Sequence, residues 1–526
     1  MQEQIGEGNS LTFGVCFVDT STAEFSLSTF SDDQDRTRLE TLIVQIKPKE
    51  LVLEKGIISK ASLRVIKNCL GNVEINFIAP GIEFWTVAHT IDEIRRGSYF
   101  DCLGNEDYRS MWPIPLQLDS TAISAFGGLL YYLRSLRLDV DLISASNFHD
   151  YDPMRSASTL VLDGQTLINL EIFQNTYNST DQGTLFSLLN HCSTPYGKRL
   201  FKKWVCHPLQ SIEGINSRLD AVDDFFEVPG AMNHLCAQLK SLPDLERIVS
   251  RIHTGTCRVK DFCSSLAAFR KIQNILENFS PYAESFRSDR LKTLVSACFS
   301  NPMLKSLVYF ENAFDHSEAS SREKIQPFTG YDTDFDAFQD AVEAVEAKLN
   351  AYLIECQEKV KSKNISYRDI GKEIYQIEVP VKLKAPNDWT LMSKTQAVNR
   401  YYSPALRKLV NDILEARERA DEAMRTFKSV MYGKFDENYS EWIALIRGVA
   451  EVDCLANLAI IRRNLGEPCC RPIFVSSMSS VLDIEGLRHP CLMHKAGMDF
   501  IPNDMHLSHE EQSMILLTGP NMGGNL

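Results

Sequence analysis

The 526 residues suggest roughly three to four domains of ~150 residues each, and 44% hydrophobic with 24% charged residues is ordinary for a globular protein. A formal net charge of −14 excludes nucleic-acid binding through overall charge, so such a role needs a local basic patch. There is no run of ~20 apolar residues to span a membrane, Met1–Glu7 lacks the features of a secretion signal, and the fourteen cysteines show neither C-x-x-C nor zinc spacing.

In chain order, Leu11–Val18 is a β-rich apolar run and Phe25–Phe30 alternates with period two, as a half-buried strand does. Arg36–Ile46 then reads as helix, Glu50–Glu54 as strand, and Ala122–Leu138 as a helix carrying Leu129, Leu133 and Leu136. This predicts an α/β domain over residues 1–155. From residue 156 the pattern is almost wholly helical. Thr194-Pro195 opens one helix with proline in the first turn, where its missing N–H costs nothing. Lys198, Arg199, Lys202 and Lys203 on that helix read as a solvated basic face. Dispersed cysteines without a framework point to reduced, buried thiols in a cytosolic or nuclear protein.

Two heptad seams follow. Phe335, Val342 and Leu349 are seven apart, as are Phe338, Val345 and Tyr352. Leu406, Ile413, Ala420 and Phe427 repeat the spacing, alongside Leu409, Ala416, Ala423 and Val430. Between the seams the helical period is lost and Glu373–Val379 alternates like a strand. The pattern predicts an antiparallel pair of helices, each ~40 Å long at 1.5 Å per residue, ending in a β-rich tip. From Val381 to Lys408 that tip carries Lys382, Lys384, Lys394, Arg400, Arg407 and Lys408 against Asp388, with Tyr401 and Tyr402 among them. Such a cationic patch on an acidic chain fits contact with a phosphate backbone.

Past Gly466, short strands are expected at Arg471–Val475, Ser480–Ile484 and Met514–Thr518. The last feeds Gly519-x-x-x-x-Gly524, the opening of a Walker A phosphate loop whose backbone N–H groups cradle an anion. Asn525 and Leu526 stand where Lys and Ser or Thr are required, so the site is expected to be incomplete and this chain inactive in hydrolysis. No Ser-His-Asp, Cys-His or paired-carboxylate arrangement stands out, and no catalytic or metal-ligating residue is assigned.

Thr518-Gly-Pro-Asn-Met-Gly-Gly524 resembles the Walker A loop of the MutS mismatch-repair family. Asn169–Phe173, Thr194–Leu200, Leu242–Arg247, Arg488–Pro490 and Asp499–Asp504 resemble further stretches of the same family, in the same order. Gly14–Thr20, Phe30–Asp33 and Glu54–Gly56 narrow the likeness to one eukaryotic branch.

The resemblance implies a multidomain α/β plus mainly α architecture. An RNase H-like connector (1–155) precedes a helical lever (156–362 and 405–470), a β-rich clamp (363–404) and the start of a P-loop ATPase domain (471–526). It implies DNA-backbone contacts from Ser393, Lys394, Thr395, Asn399 and Arg400. It places adenine contacts on Phe500, Ile501 and Asn503, and phosphate contacts on Gly519, Pro520, Asn521, Met522, Gly523 and Gly524, with ATP and Mg²⁺ as cofactors.

The implied function is mismatched-DNA binding as an ATP-gated sliding clamp, in the nucleus. The implied partners are double-stranded DNA containing mismatches, a second MutS homologue as heterodimer partner, and MutL-type proteins. This chain is expected to lack the family's mismatch-sensing contact, a Phe-x-Glu motif, since Phe225–Glu227 and Phe435–Glu437 fall in helical segments. The alternative is a truncated, non-catalytic module that binds DNA or a partner.

Overall fold

Two strands that pair as a hairpin, β2 (Leu11–Asp19) and β3 (Glu24–Asp32), organise the first part of the chain. The computed structural model describes residues 1–6, 10–71, 73–100, 112–117, 121–154, 159–296, 301–371, 373–466, 469–476, 479–491, 501–509 and 513–516. The chain divides into two compact units. One comprises Met1–Thr254, Ala268–Phe299 and Ser440–Leu526, the other Gly255–Ala267 and Ser300–Tyr439.

In the first unit, β1 (Gln2–Ile5) adds to β2, and β6 (Phe148–Asp150) runs parallel to β3, giving the order β1-β2-β3-β6. A separate parallel pair joins β4 (Glu50–Glu54) to β5 (Glu74–Ile78). The helix Thr37–Ile46 starts where Asp32 accepts hydrogen bonds from the Arg38 and Leu39 amides at 3.0 and 2.9 Å. The helix Thr121–Ser135 lays Phe126 edge-on to Phe25, which stacks on Phe148 at 4.7 Å. This close approach needs glycine at position 14, where a Cβ would lie 2.3 Å from the Thr121 backbone. That helix ends three residues short of the predicted Leu138, because Arg137 takes a left-handed φ of 59° and Leu136 is left exposed.

The helical remainder of this unit holds a buried polar cluster. Thr194 caps the helix Pro195–Cys206, its hydroxyl accepting from the Gly197 amide at 3.0 Å. Asp453, on the helix Tyr439–Leu465 and 1% exposed, accepts from the Ser193 and Thr194 amides and the Thr194 hydroxyl at 2.9, 2.8 and 2.7 Å. One turn on, Asn457 accepts from the His191 amide and donates to the Leu189 carbonyl, at 2.8 and 3.0 Å. The basic face expected on Pro195–Cys206 is only partly solvated. Arg199 is clamped by Asp244 and Glu246, each at 2.6 Å, and the Lys202 ammonium lies over the Phe173 ring. Trp442, fully buried, packs on Phe269 at 4.5 Å.

In the second unit both heptad segments are helices, Thr333–Val360 and Pro404–Asp436. They run antiparallel, since Tyr352 pairs with Ser403 and Glu346 with Arg417. At 28 and 33 residues they are about 42 and 50 Å long. One row of each seam is closed off: Phe335, Val342 and Leu349 against Leu406, Ile413, Ala420 and Phe427 are all buried. The second row is half-buried, and Val430 is exposed. Between the helices, β7 (Ser366–Ile370), β8 (Glu373–Pro380), β9 (Thr390–Lys394) and β10 (Val398–Tyr402) form one sheet in the order β7-β8-β10-β9. Elsewhere in the unit Phe262 meets Phe310, Tyr432 and Phe435 in an aromatic core.

Towards the carboxyl end, β11 (Leu482–Leu487) pairs antiparallel with β12 (Asn503–Leu507). The strand expected at Arg471–Val475 is absent: the segment is exposed and forms no ladder, and Arg471 instead pairs with Asp220 and Asp223 at 2.8 and 2.9 Å. Residues 514–516 of the expected Met514–Thr518 strand likewise form no ladder, and 517–518 lie outside the described residues. A β-rich run becomes a strand only where a neighbour completes its hydrogen bonds. No helix among the described residues is long and apolar enough to cross a membrane. The whole is a mixed α/β chain with many helices and several small sheets.

Candidate nucleic-acid interface

The tip sheet is held by the helix pair that carries it. Asp332 caps the first helix through the Asp334 and Phe335 amides at 3.1 and 3.0 Å. Ser403 caps the second through the Leu406 amide at 3.0 Å, with Pro404 in the first turn. Ile377, Val379, Trp389 and Tyr402 of the tip join Leu349, Cys356, Leu406 and Val410 of the helices in one core. The Tyr367 hydroxyl donates to the Leu349 carbonyl at 2.8 Å. Tyr401 and Tyr402, which the sequence places inside the cationic patch, are packing groups. Tyr401 lies against Trp389 at 6.1 Å, and Tyr402 is buried with its hydroxyl on the Ile374 carbonyl. Burial, the largest cause in each case, pushes the Tyr367 and Tyr402 phenols up, so both stay neutral.

The five expected clamp residues fall on one hairpin. Thr395 closes the β9–β10 turn, its amide donating to the Val398 carbonyl at 2.9 Å and its hydroxyl accepting from the Val398 amide at 3.0 Å. Cross-strand register places Lys394 opposite Asn399 and Ser393 opposite Arg400. Lys394 and Thr395 are exposed, Ser393, Asn399 and Arg400 half-buried. The Asn399 Oδ1 is buried with no hydrogen-bond partner. Lys382, Lys384, Arg407 and Lys408 are exposed as well, and the Arg407 guanidinium lies 6.0 Å from the Tyr402 ring centre.

Arg400 differs from the other cations. Its Nε donates to Glu378 Oε1 at 2.8 Å across β8–β10, and one terminal nitrogen lies 3.4 Å from Ser393 Oγ. Glu378 lies three residues before Val381, ahead of the basic stretch, so the run of cations does not reveal it. Period-two alternation puts Glu378 on the face opposite Ile377 and Val379, and this was the available signal. The same alternation sets Tyr375 with Ile377 and Val379, and it packs against their core, with a left-handed backbone φ of 56° and its amide held by Asp369 at 2.7 Å. Tyr375 then reaches Arg417, which also pairs with Glu346.

Of the expected nucleotide contacts, Phe500 and Gly519, Pro520, Asn521, Met522, Gly523 and Gly524 lie outside the described residues. Ile501 is 78% exposed, and Asn503 opens β12 with its side chain turned 3.4 Å from the Ile501 carbonyl. Both Ile501 and Asn503 are exposed.

Residues 4–147 match the family model of MutS domain II, and residues 165–459 that of MutS domain III. The DNA mismatch repair protein MSH6 of Saccharomyces cerevisiae is 37% identical over 538 residues, covering 98% of this chain and 42% of that protein. The Msh6 of Homo sapiens is 31% identical over 595 residues, covering 99% and 44%. The Msh3 of Homo sapiens is 25% identical over 533 residues, covering 98% and 46%. The chain thus spans less than half the length of these relatives, and among the human proteins it is more similar to Msh6 than to Msh3. Two consecutive domain matches and this level of identity show that the chain belongs to the MutS family, on its MSH6-like side.

Proposed function

We propose that this chain serves DNA mismatch repair, with its β tip gripping the backbone of a DNA duplex. The observation that carries the reading is the tip itself: a small sheet packed on its own helix pair, with Lys382, Lys384, Lys394, Arg407 and Lys408 exposed around it. Ammonium and guanidinium groups on such a surface neutralise phosphates and release counterions, giving affinity without reading bases. Of the polar groups nearby, the Asn399 amide can offer a phosphate oxygen only its Nδ2 donors, since its carbonyl oxygen is a buried acceptor. The relatives' names, DNA mismatch repair protein, support the choice of nucleic acid over another polyanion.

The finer reading rests on the family resemblance. In it the chain belongs to a MutS-type heterodimer in the nucleus that binds mismatched DNA, slides on it under ATP control and engages MutL-type proteins. Residues 1–155 serve as its connector, 156–362 and 405–470 as its lever, 363–404 as its clamp and 471–526 as part of its ATPase domain. Phe500, Ile501, Asn503 and Gly519–Gly524 belong to its ATP and Mg²⁺ site.

The test is a salt titration of duplex binding by fluorescence anisotropy. Lys394→Ala with Arg400→Ala removes two positive charges from the tip. Each is worth roughly fivefold near 0.15 M salt, so the double variant binds roughly 30-fold more weakly on every duplex sequence. The slope of log affinity against log salt falls by about two. An unchanged slope would remove the tip from the DNA contact.

A further inference from the structure

We propose that Glu378 is a built-in brake on the tip's grip, holding the Arg400 guanidinium neutralised and setting a carboxylate against the approaching phosphate. This rests on the clamp reading above and assigns a residue that weakens the contact. Register aligns Ser366, Glu378, Arg400 and Ser393 in one row across all four strands, so their side chains share a face. The Arg400–Glu378 pair is 2.8 Å long, and its side chains are 17% and 22% exposed. A guanidinium has five N–H donors. Here Nε is spent on the carboxylate and one terminal nitrogen is turned towards Ser393, while other donors stay open to a phosphate. The pair's net charge is zero, so in this row an incoming phosphate meets no net positive charge, and Lys394, one position on along β9, projects from the opposite face. The anion also approaches within a few ångströms of the Glu378 carboxylate, well inside the Debye length of about 8 Å at physiological salt. Exclusion of water as the duplex seats strengthens that repulsion.

The economy of the arrangement fits a protein that must release and move along a duplex as well as hold it. Arg400 keeps its position through the pair, yet its charge is offset. Glutamine at position 378 keeps side-chain length and an acceptor for Nε while removing the negative charge. It therefore separates the brake from the positioning of Arg400.

The experiment is the same salt titration on the full chain with a duplex, for wild type, Glu378→Gln, Arg400→Ala, the Arg400→Ala/Glu378→Gln double variant and Lys394→Ala. Glu378→Gln is expected to bind about fivefold more tightly near 0.15 M salt and to steepen the salt slope by about 0.9. Arg400→Ala, which bares the carboxylate, is expected to weaken binding about fivefold, as Lys394→Ala does. Adding Glu378→Gln to it recovers about fivefold. The recovery is read within one background, so it stands even if the single Glu378→Gln variant disturbs the sheet. Equal or weaker binding by Glu378→Gln with an unchanged thermal transition, or no recovery in the double variant, overturns the brake. If Lys394→Ala still flattens the slope in that case, the clamp reading survives. If it does not, the clamp reading fails by itself.

Discussion

Asp453→Ala is expected to destabilise the protein by about 3 kcal/mol or more in urea or thermal unfolding. The side chain is buried and takes three hydrogen bonds, from the Ser193 and Thr194 amides and the Thr194 hydroxyl. Its loss leaves buried donors unpaired, at about 1–3 kcal/mol each before water or relaxation offsets part of the cost. Gly197 sits so close that a Cβ there would lie 2.2 Å from Asp453 Oδ2, so the helix start is fitted around this one carboxylate.

Its titration supplies an independent check. Burial pushes the Asp453 carboxyl up from 3.8, and the hydrogen bonds from Ser193 and Thr194 pull the other way without winning. A carboxyl raised in the folded state favours folding most fully below the unfolded value, and that share is lost as pH rises through the folded value. The stability of the wild type minus that of Asp453→Asn should therefore decline from pH 3.8 upward and then level off. A difference that grows with pH over that window would show that the hydrogen bonds outweigh burial.

Leu349→Ala is expected to cost about 2–5 kcal/mol, the range for emptying a leucine-sized site in a packed core. Leu349 is fully buried in the seam, and its carbonyl accepts from Tyr367 of β7, so the same residue anchors both the helix pair and the tip sheet. Val430 occupies a matching heptad position but is 46% exposed. Val430→Ala should change stability by no more than about 0.5 kcal/mol. Equal effects at the two positions would mean that the seam is not closed as described.

That contrast shows what the sequence made legible. Seven-residue spacing located both helices, and period-two alternation located β3 and β8, because those periods follow from backbone geometry alone, while an apolar β-rich run located β2. Spacing could not say which heptad row is shut and which is open, since that depends on the partner helix. The Asp453 cluster was invisible because Thr194 and Asp453 are 259 residues apart. Arg199 looked like a solvated cation for the same reason, its carboxylates lying 45 and 47 residues further on. In the tip sheet, the basic residues were countable, but register pairs Arg400 with Glu378 and leaves Lys394 opposite an uncharged residue. Around Arg471–Val475 composition favoured a strand and no neighbour supplied the ladder.

The chain enters and leaves the tip through adjacent doors. Tyr352, two turns before the first helix ends, touches Ser403, the residue on which the second begins, at 2.6 Å. The seam therefore closes the loop, and the sheet inherits a tether already shut. Because closure entropy grows only with the logarithm of loop length, relatives can lengthen, shorten or exchange the intervening hairpins at small thermodynamic cost. The tip sheet is in this sense a cartridge, replaceable without redrawing the shaft that bears it.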